Sequence, residues 1–346
     1  MTALSLPSID DLHDAALVAA LRHKIDRKTV PQGALGRMAA LAQRLGQILG
    51  TTEPHLAQPQ LLVFAADHGI AARGVSAYPS DVTRQMVGNF LAGGALVSVL
   101  ARQHGIALSV VDCGVRGDFA PAPGLLSRKI AHGTADCSAG PAMSPAQCAQ
   151  ALQNGVDIVR ALPGNALLLG EMGIGNTSAA ALLVARLGGV DVTDVTGAGT
   201  GLDAAGIARK TAVLRQALAA NAGATDVLAA LAALGGFEIA TMVGSALQAA
   251  AERRVIVVDG FIATAAVLAA SRIAPHVLQR CVFAHRSDER GHARLLQLLN
   301  AEPLLDLALR VGEGSGAALA WPLLVSACSI LNEMASFESA GVSDKS

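Results

Sequence analysis

The alternation of apolar and polar positions changes rhythm near residue 60. Before it, Leu35 to Leu49 repeats apolar residues at helical spacing, and an earlier run through Arg22 reads as a helix capped by Asp10 or Asp11. Lys28-Thr-Val-Pro-Gln-Gly33 between them predicts a turn, and the polar TTEPHLAQP of 51–59 predicts a linker. After the linker come short runs apolar at nearly every position: LLVFAAD (61–67), LSVVDCG (108–114), ALLLGE (166–171), VIVVDG (255–260) and CVFAH (281–285). Continuous apolar runs predict strands covered on both faces. Ala/Leu segments of helical length separate them, at 82–103, 144–161, 177–187 and 226–251. Strand alternating with helix predicts an α/β fold: a Rossmann-like parallel sheet with right-handed crossovers and flanking helices. The expected division is a parallel α/β domain over 60–315 and a smaller helical domain from 1–59 together with 316–346. In such sheets ligands bind beyond the carboxyl ends of the strands, so the residues after each run carry the functional information.

Composition narrows the classes. Hydrophobic residues are 52% and charged residues 15% of 346, so a large core forms and disorder is excluded as the main state. A net charge of −1 speaks against a nucleic-acid coat or a polybasic membrane binder. One Trp and one Tyr leave no stacking platform for single strands. The five cysteines (Cys113, Cys137, Cys148, Cys281, Cys328) are odd in number and form no CxxC pair. They predict free thiols in a reducing cytoplasm. The N-terminus has early acids and no basic segment, unlike a signal peptide. The uncharged stretch between Glu313 and Glu333 is long enough to raise the membrane question. Its opening Gly314-Ser315-Gly316 and its internal Pro322, Ser326 and Ser329 predict a buried helix instead.

Four clusters follow the strand-like runs. Asp67-His68-Gly69 leads into Gly74-Val-Ser76-Ala-Tyr78-Pro79. It reads either as a substrate loop or as a turn in which Asp67 caps backbone amides, with Ser76 and Tyr78 the better pocket candidates. Gly170-Glu171-Met172-Gly173-Ile174-Gly175-Asn176-Thr177-Ser178 ends a strand and opens a helix. Small residues there let backbone N–H groups approach an anion such as phosphate. The alternative is a plain turn with Asn or Thr as the helix cap. It is not a Walker A loop, because Gly-Lys-Ser/Thr is missing. A second glycine-rich loop, Gly197-Ala-Gly199-Thr-Gly201, precedes Lys210 and can complete a phosphate site. Finally, Val311-Gly312-Glu313-Gly314 places a carboxylate between glycines ahead of an apolar helix. An apolar wall, with Val311 as part of it, would raise its pKa toward that of a useful base. The alternative is a Glu held at a helix N-terminus by the dipole. Weaker candidates are Gly235-Gly236-Phe-Glu238, Asp259-Gly260-Phe261 and the polar run His285-Arg286-Ser287-Asp288-Glu289. The histidines are scattered and His285 and His292 stand seven apart, which speaks against a metal site.

FAADHGIAARGVSAYPSDVT, AGPAMS, GEMGIGNTSAA, GGFEIATMVG, VDGFIATAA and RVGEGSGAALA occur in that order. Together they resemble the nicotinate-nucleotide–dimethylbenzimidazole phosphoribosyltransferase family, from about Pro31 to about Glu333. The resemblance implies transfer of phosphoribose from nicotinate mononucleotide to 5,6-dimethylbenzimidazole in cobalamin lower-ligand synthesis. It implies no metal and no cofactor, and a homodimer. Carried onto this chain, the general base is Glu313 and Glu171 is a second carboxylate of the site. Met172, Val311, Ser76 and Tyr78 fall at the benzimidazole. Gly173, Gly175, Asn176, Thr177, Gly197, Gly199, Lys210 and Ser287 fall near the nucleotide. Two rivals bracket this reading. A transferase using phosphoribosyl pyrophosphate would need adjacent acids before a Thr-Thr-Gly-x-Thr loop, whereas Asp191 and Asp194 are separated. A non-catalytic nucleotide sensor would keep the glycine-rich loops and need no base.

Overall fold

The computed structural model describes residues 5–343. Two helices open the chain, α1 (Ala15–Asp26) and α2 (Arg37–Leu49). Next come β1 (Gln60–Ala66), α3 (Asp81–Leu91), α4 (Leu96–Gln103), β2 (Ala107–Gly114), β3 (Leu125–Ser127), α5 (Pro145–Ala161) and β4 (Ala166–Met172). The second half holds α6 (Asn176–Gly188), α7 (Val192–Val195), α8 (Ala204–Ala220), α9 (Val227–Leu234), α10 (Phe237–Ala251), β5 (Val255–Val258) and α11 (Phe261–Ile273). The chain closes with β6 (Cys281–Phe283), β7 (His285–Arg286), α12 (Arg290–Leu298), β8 (Leu305–Asp306), α13 (Ser315–Glu333) and α14 (Phe337–Ala340).

Six strands form one sheet in the order β3-β2-β1-β4-β5-β6, every pair parallel. This is the doubly wound order in which the chain reverses direction across the sheet between β1 and β4. Phe64 of β1 lies opposite Glu171 of β4, so the two strands end side by side. In sheets of this order the reversal point is where ligands bind, beyond the strand ends.

The strands bury both faces, as their continuous apolar runs require. Leu62 and Phe64 of β1, Leu167 and Leu169 of β4, and Ile256 and Val258 of β5 join one core with α5, α6, α10 and α11. The alternate residues Leu61, Val63, Leu168, Val255 and Val257 join the other, with α2, α4 and α13. On that face Leu41, Leu45 and Ile48 of α2 share the core with Leu324, Ala327 and Leu331 of α13. A bridge between Lys28 and Ser336 ties the two terminal segments together. α13 is long and apolar enough to cross a membrane, but Ala317, Ala318, Ala320, Trp321 and Leu324 are buried against the sheet. It is a core helix despite its length.

The structure corrects several expected elements. The cap of α1 is Asp14, which accepts from Leu17 N at 3.0 Å. Asp11 instead accepts from His13 N and from the Gln279 side chain. The segment 82–103 is two helices, broken around Gly93, whose φ is +79°. The segment 226–251 is also two, broken at Gly235-Gly236 because that backbone runs against His68: a Cβ on Gly236 would lie 2.3 Å from the ring. The short strands β3, β7 and β8 add to the expected set.

Candidate active site

The end of β4 and the start of α13 touch through bare backbone. A Cβ on Gly170 would lie 2.4 Å from Glu313 O, so only glycine permits this approach. Gly312, Glu313 and Gly314 all take left-handed conformations, with φ of +77°, +67° and +88°. A non-glycine residue there costs roughly 1 kcal/mol, so Glu313 is held at a position that backbone preference alone would give to glycine. Asp259, just past β5, secures the segment: its carboxylate accepts from Gly314 N at 3.2 Å and Ala317 N at 2.9 Å. This caps α13 and fixes the residue before it. Glu171, next to last in β4, has one oxygen accepting from the Asn176 side chain. Its other oxygen lies 2.5 Å from where a Gly312 Cβ would stand. Glu171 and Glu313 are therefore brought together over the reversal point of the sheet.

No Lys, Arg or His forms an ion pair with either carboxylate among the described residues. Burial pushes Glu313 up to about 7, with the Asp259 charge adding to it. Burial pushes Glu171 up to about 8, helped by Asp259, while the Asn176 hydrogen bond opposes the rise. Near neutral pH, then, this end of the site can hold a proton or accept one.

A polar network makes the other end. Lys210 of α8 is buried, and its ammonium donates to Thr177 Oγ1 at 2.9 Å and to Gly197 O at 3.4 Å. Burial pulls its pKa down to about 8, against the attraction of Glu289. The Glu289 carboxylate accepts from Gly199 N at 3.2 and 3.3 Å, and Arg310 donates to Gly199 O at 3.3 Å. Ser76 Oγ meets Thr200 Oγ1 at 2.9 Å, which joins the loop after β1 to the glycine-rich loop 197–201. Ile174 N donates to Thr83 Oγ1 and Asn176 N to Gly173 O, so part of the Gly173–Thr177 backbone is already engaged within the protein.

Asn176 and Thr177, neighbours on α6, join the carboxylate end to the Lys210 network: one bonds Glu171 and the other Lys210. Tyr78 and Val311 are exposed, at 55% and 48%. Val311, the expected wall against water, is itself half exposed, while Glu313 is buried with its backbone against Gly170. Asp67 Oδ2 accepts from Arg116 N at 2.8 Å, a backbone amide as its capping reading expects. His68 lies behind the Gly173–Gly175 loop in a buried pair with Glu238 at 2.5 Å. His285, in the polar run offered as a weaker site candidate, packs its ring against Gly316, 3.6 Å from Asp259. Asp259 and Glu289 were underrated in the sequence. The only signal for Asp259 was an acid closing a strand-like run, and for Glu289 an acid two residues past Ser287. No cluster of three or more metal-binding side chains occurs among the described residues.

A parallel sheet in this strand order, with two buried carboxylates of raised pKa and a lysine-bearing glycine-rich network near its reversal point, is an arrangement of the Rossmann type. The DBI_PRT phosphoribosyltransferase family model matches residues 11–342. A nicotinate-nucleotide–dimethylbenzimidazole phosphoribosyltransferase of Variovorax paradoxus is 69% identical over 341 residues, covering 99% of this chain and 98% of that one. One of Dechloromonas aromatica is 58% identical, covering 96% and 97%. The crystal structure of CobT from Thermus thermophilus superposes with a TM-score of 0.93 at 42% identity, covering 95% of this chain and all of that one. The chain belongs to the nicotinate-nucleotide–dimethylbenzimidazole phosphoribosyltransferase family and is a phosphoribosyltransferase.

Proposed function

We propose that this enzyme transfers phosphoribose from nicotinate mononucleotide to 5,6-dimethylbenzimidazole, giving α-ribazole 5′-phosphate and nicotinate, with Glu313 as the general base. The observation that carries the assignment is Glu313 itself: a carboxylate in a left-handed conformation at the mouth of α13, with its pKa raised to about 7. A benzimidazole has one N–H and one lone-pair nitrogen. The lone pair attacks C1′ while the N–H proton passes to the Glu313 carboxylate, so no cationic product forms. The C1′–N bond to nicotinate breaks, and its electron pair stays on the pyridine nitrogen, which becomes neutral. Attack opposite the leaving ring converts the β-linkage to α. Burial raises the Glu171 carboxyl as well, which favours its neutral form beside the base.

In this reading Ser76, Tyr78, Met172 and Val311 receive the benzimidazole. Gly173, Gly175, Asn176, Thr177, Gly197, Gly199, Lys210 and Ser287 surround the nucleotide, with the Lys210 ammonium nearest its phosphate. The helices of 1–59 and 316–346 act as one smaller unit on the 60–315 part, supported by the core that α2 and α13 share. The five buried free thiols suit a cytoplasmic enzyme, and the family implies a homodimer, which sedimentation would test. The deciding experiment mixes the protein with nicotinate mononucleotide and dimethylbenzimidazole and follows nicotinate release. Release that requires both substrates supports the assignment; binding of the nucleotide without release overturns it.

A further inference from the structure

His292 stands in the first turn of α12, fully buried, and its two ring nitrogens face different partners. Ser287 N donates to Nδ1 at 2.8 Å. A backbone N–H can be satisfied there only by a lone pair, so Nδ1 carries no proton. Nε2 lies 3.0 Å from Thr264 Oγ1, and the Thr264 hydroxyl donates its own proton to Gly260 O at 2.7 Å. Thr264 is then left to accept, and Nε2 is the donor. The two contacts together select one neutral tautomer. Burial and the facing His285 pull the His292 pKa down to about 3, which keeps the ring in that form.

The groups that His292 orders lead into the nucleotide end of the site. Ser287 Oγ accepts from Glu289 N at 3.3 Å, and the Glu289 carboxylate accepts from Gly199 N. Gly197 and Thr177 complete the chain to Lys210. We propose that His292 is a positioning residue for the nucleotide subsite: its Nδ1 lone pair fixes the Ser287 backbone and, through Glu289, the Gly197–Gly201 loop. The proposal rests on the assignment of Ser287 and that loop to the nucleotide.

Two substitutions separate positioning from simple loss of a core residue. In His292→Asn the side-chain oxygen falls near the place of Nδ1 and keeps an acceptor for Ser287 N. In His292→Gln the polar group reaches the Thr264 side and leaves that amide without one. Losing a hydrogen bond and stranding a buried donor typically costs on the order of a tenfold change or more in a binding constant. His292→Gln is expected to raise KM for nicotinate mononucleotide about tenfold, with KM for dimethylbenzimidazole and kcat within about twofold of wild type; His292→Asn should stay close to wild type in all three. Hydrogen exchange should speed up over 284–289 and 197–201 in the Gln variant and not in the Asn variant. Nitrogen NMR of the unmodified enzyme should find the proton of His292 on Nε2. A proton on Nδ1 would overturn the proposal without any variant having to fold. So would Gln and Asn variants alike in both kinetics and exchange. If the wild type released no nicotinate, the assigned reaction would fail. The exchange and tautomer measurements would still decide the role of His292.

Discussion

The two ends of the site are built from opposite electrostatics. Around β4, β5 and α13 three acids, Glu171, Asp259 and Glu313, are buried close together, and the two glutamates have raised pKa values. Around α8 and α12 the buried charge is mixed, with Lys210 facing Glu289 and Arg310 bonded to the loop between them. The first arrangement destabilises an ionised carboxylate and so strengthens it as a base. The second holds a cation under partial neutralisation, ready for an anion to displace the balance. Proton transfer and anion binding thus have separate chemical requirements met at separate ends, and substitutions should split the kinetic parameters accordingly.

The largest effect is expected at Glu313. Glu313→Gln keeps the shape but accepts no proton near neutral pH, so kcat should fall by about 10²–10⁴-fold, the usual worth of a general base. KM for nicotinate mononucleotide should change little. In the wild type the rate should fall as pH drops through about 7, because the base becomes protonated there. That limb should vanish in the variant. A Gln variant with near wild-type turnover would move the base to Glu171.

Lys210→Ala should do the reverse. Removing one charge-assisted contact costs roughly 1.5–3 kcal/mol, or about 10–150-fold in KM for the nucleotide, with kcat at saturation largely kept. Because burial lowers the Lys210 pKa to about 8, the free enzyme loses this cation as pH rises through that value. KM for the nucleotide should therefore climb on the alkaline side in the wild type and stay flat in the variant. An unchanged KM in Lys210→Ala, measured at pH 7, would remove the lysine from the phosphate site.

Much of this division was legible in the sequence, and what was not has a common cause. The strands could be read because their runs are apolar at successive positions, which local rules interpret well. Glu313 stood out because glycines flank it. By contrast, the breaks at Gly93 and at Gly235-Gly236 lie inside segments whose helical period continues on both sides. The second break is imposed by His68, far away in the chain. β3 has three residues, too few for a pattern. Asp259 takes its meaning from amides 55 and 58 residues ahead, and Glu289 from an amide 90 residues behind. Such pairings exist only once the sheet has brought its strand ends together.

Asp259→Asn sharpens the comparison from the acidic end. Asp259 adds to the pKa rise of both Glu313 and Glu171. Replacing its charge with a neutral amide should lower both, and the acid limb of the rate profile should move down by about one pH unit, a change of ~1.4 kcal/mol in proton affinity. The Asn oxygen can still accept one of the two α13 amides, so folding should survive with a modest drop in Tm. A limb that stayed in place would mean that burial alone sets the base.

The smallest expected effect is one of stability, and its sign depends on pH. Glu171 has an ordinary pKa of 4.5 in the unfolded chain and about 8 in the folded one. Below 4.5 both states hold the proton and the group is neutral to folding. Between 4.5 and about 8 the folded state keeps a proton that the unfolded state has released, so raising the pH favours unfolding. Glu171→Gln removes the ionisation and preserves an acceptor for the Asn176 side chain. The variant should match the wild type in denaturant titrations near pH 5 and be more stable by roughly 1 kcal/mol near pH 8, with most of the raw shift offset by relaxation around the charge. At the lysine end the same logic gives the opposite slope. Folding favours neutral Lys210, so its contribution grows more favourable as pH rises through about 8 towards the ordinary lysine value of 10.5. Were Glu171→Gln instead less stable at pH 8 than at pH 5 relative to wild type, Glu171 would be ionised in the folded protein. The acidic end would then need a cation that none of the described residues pairs with it.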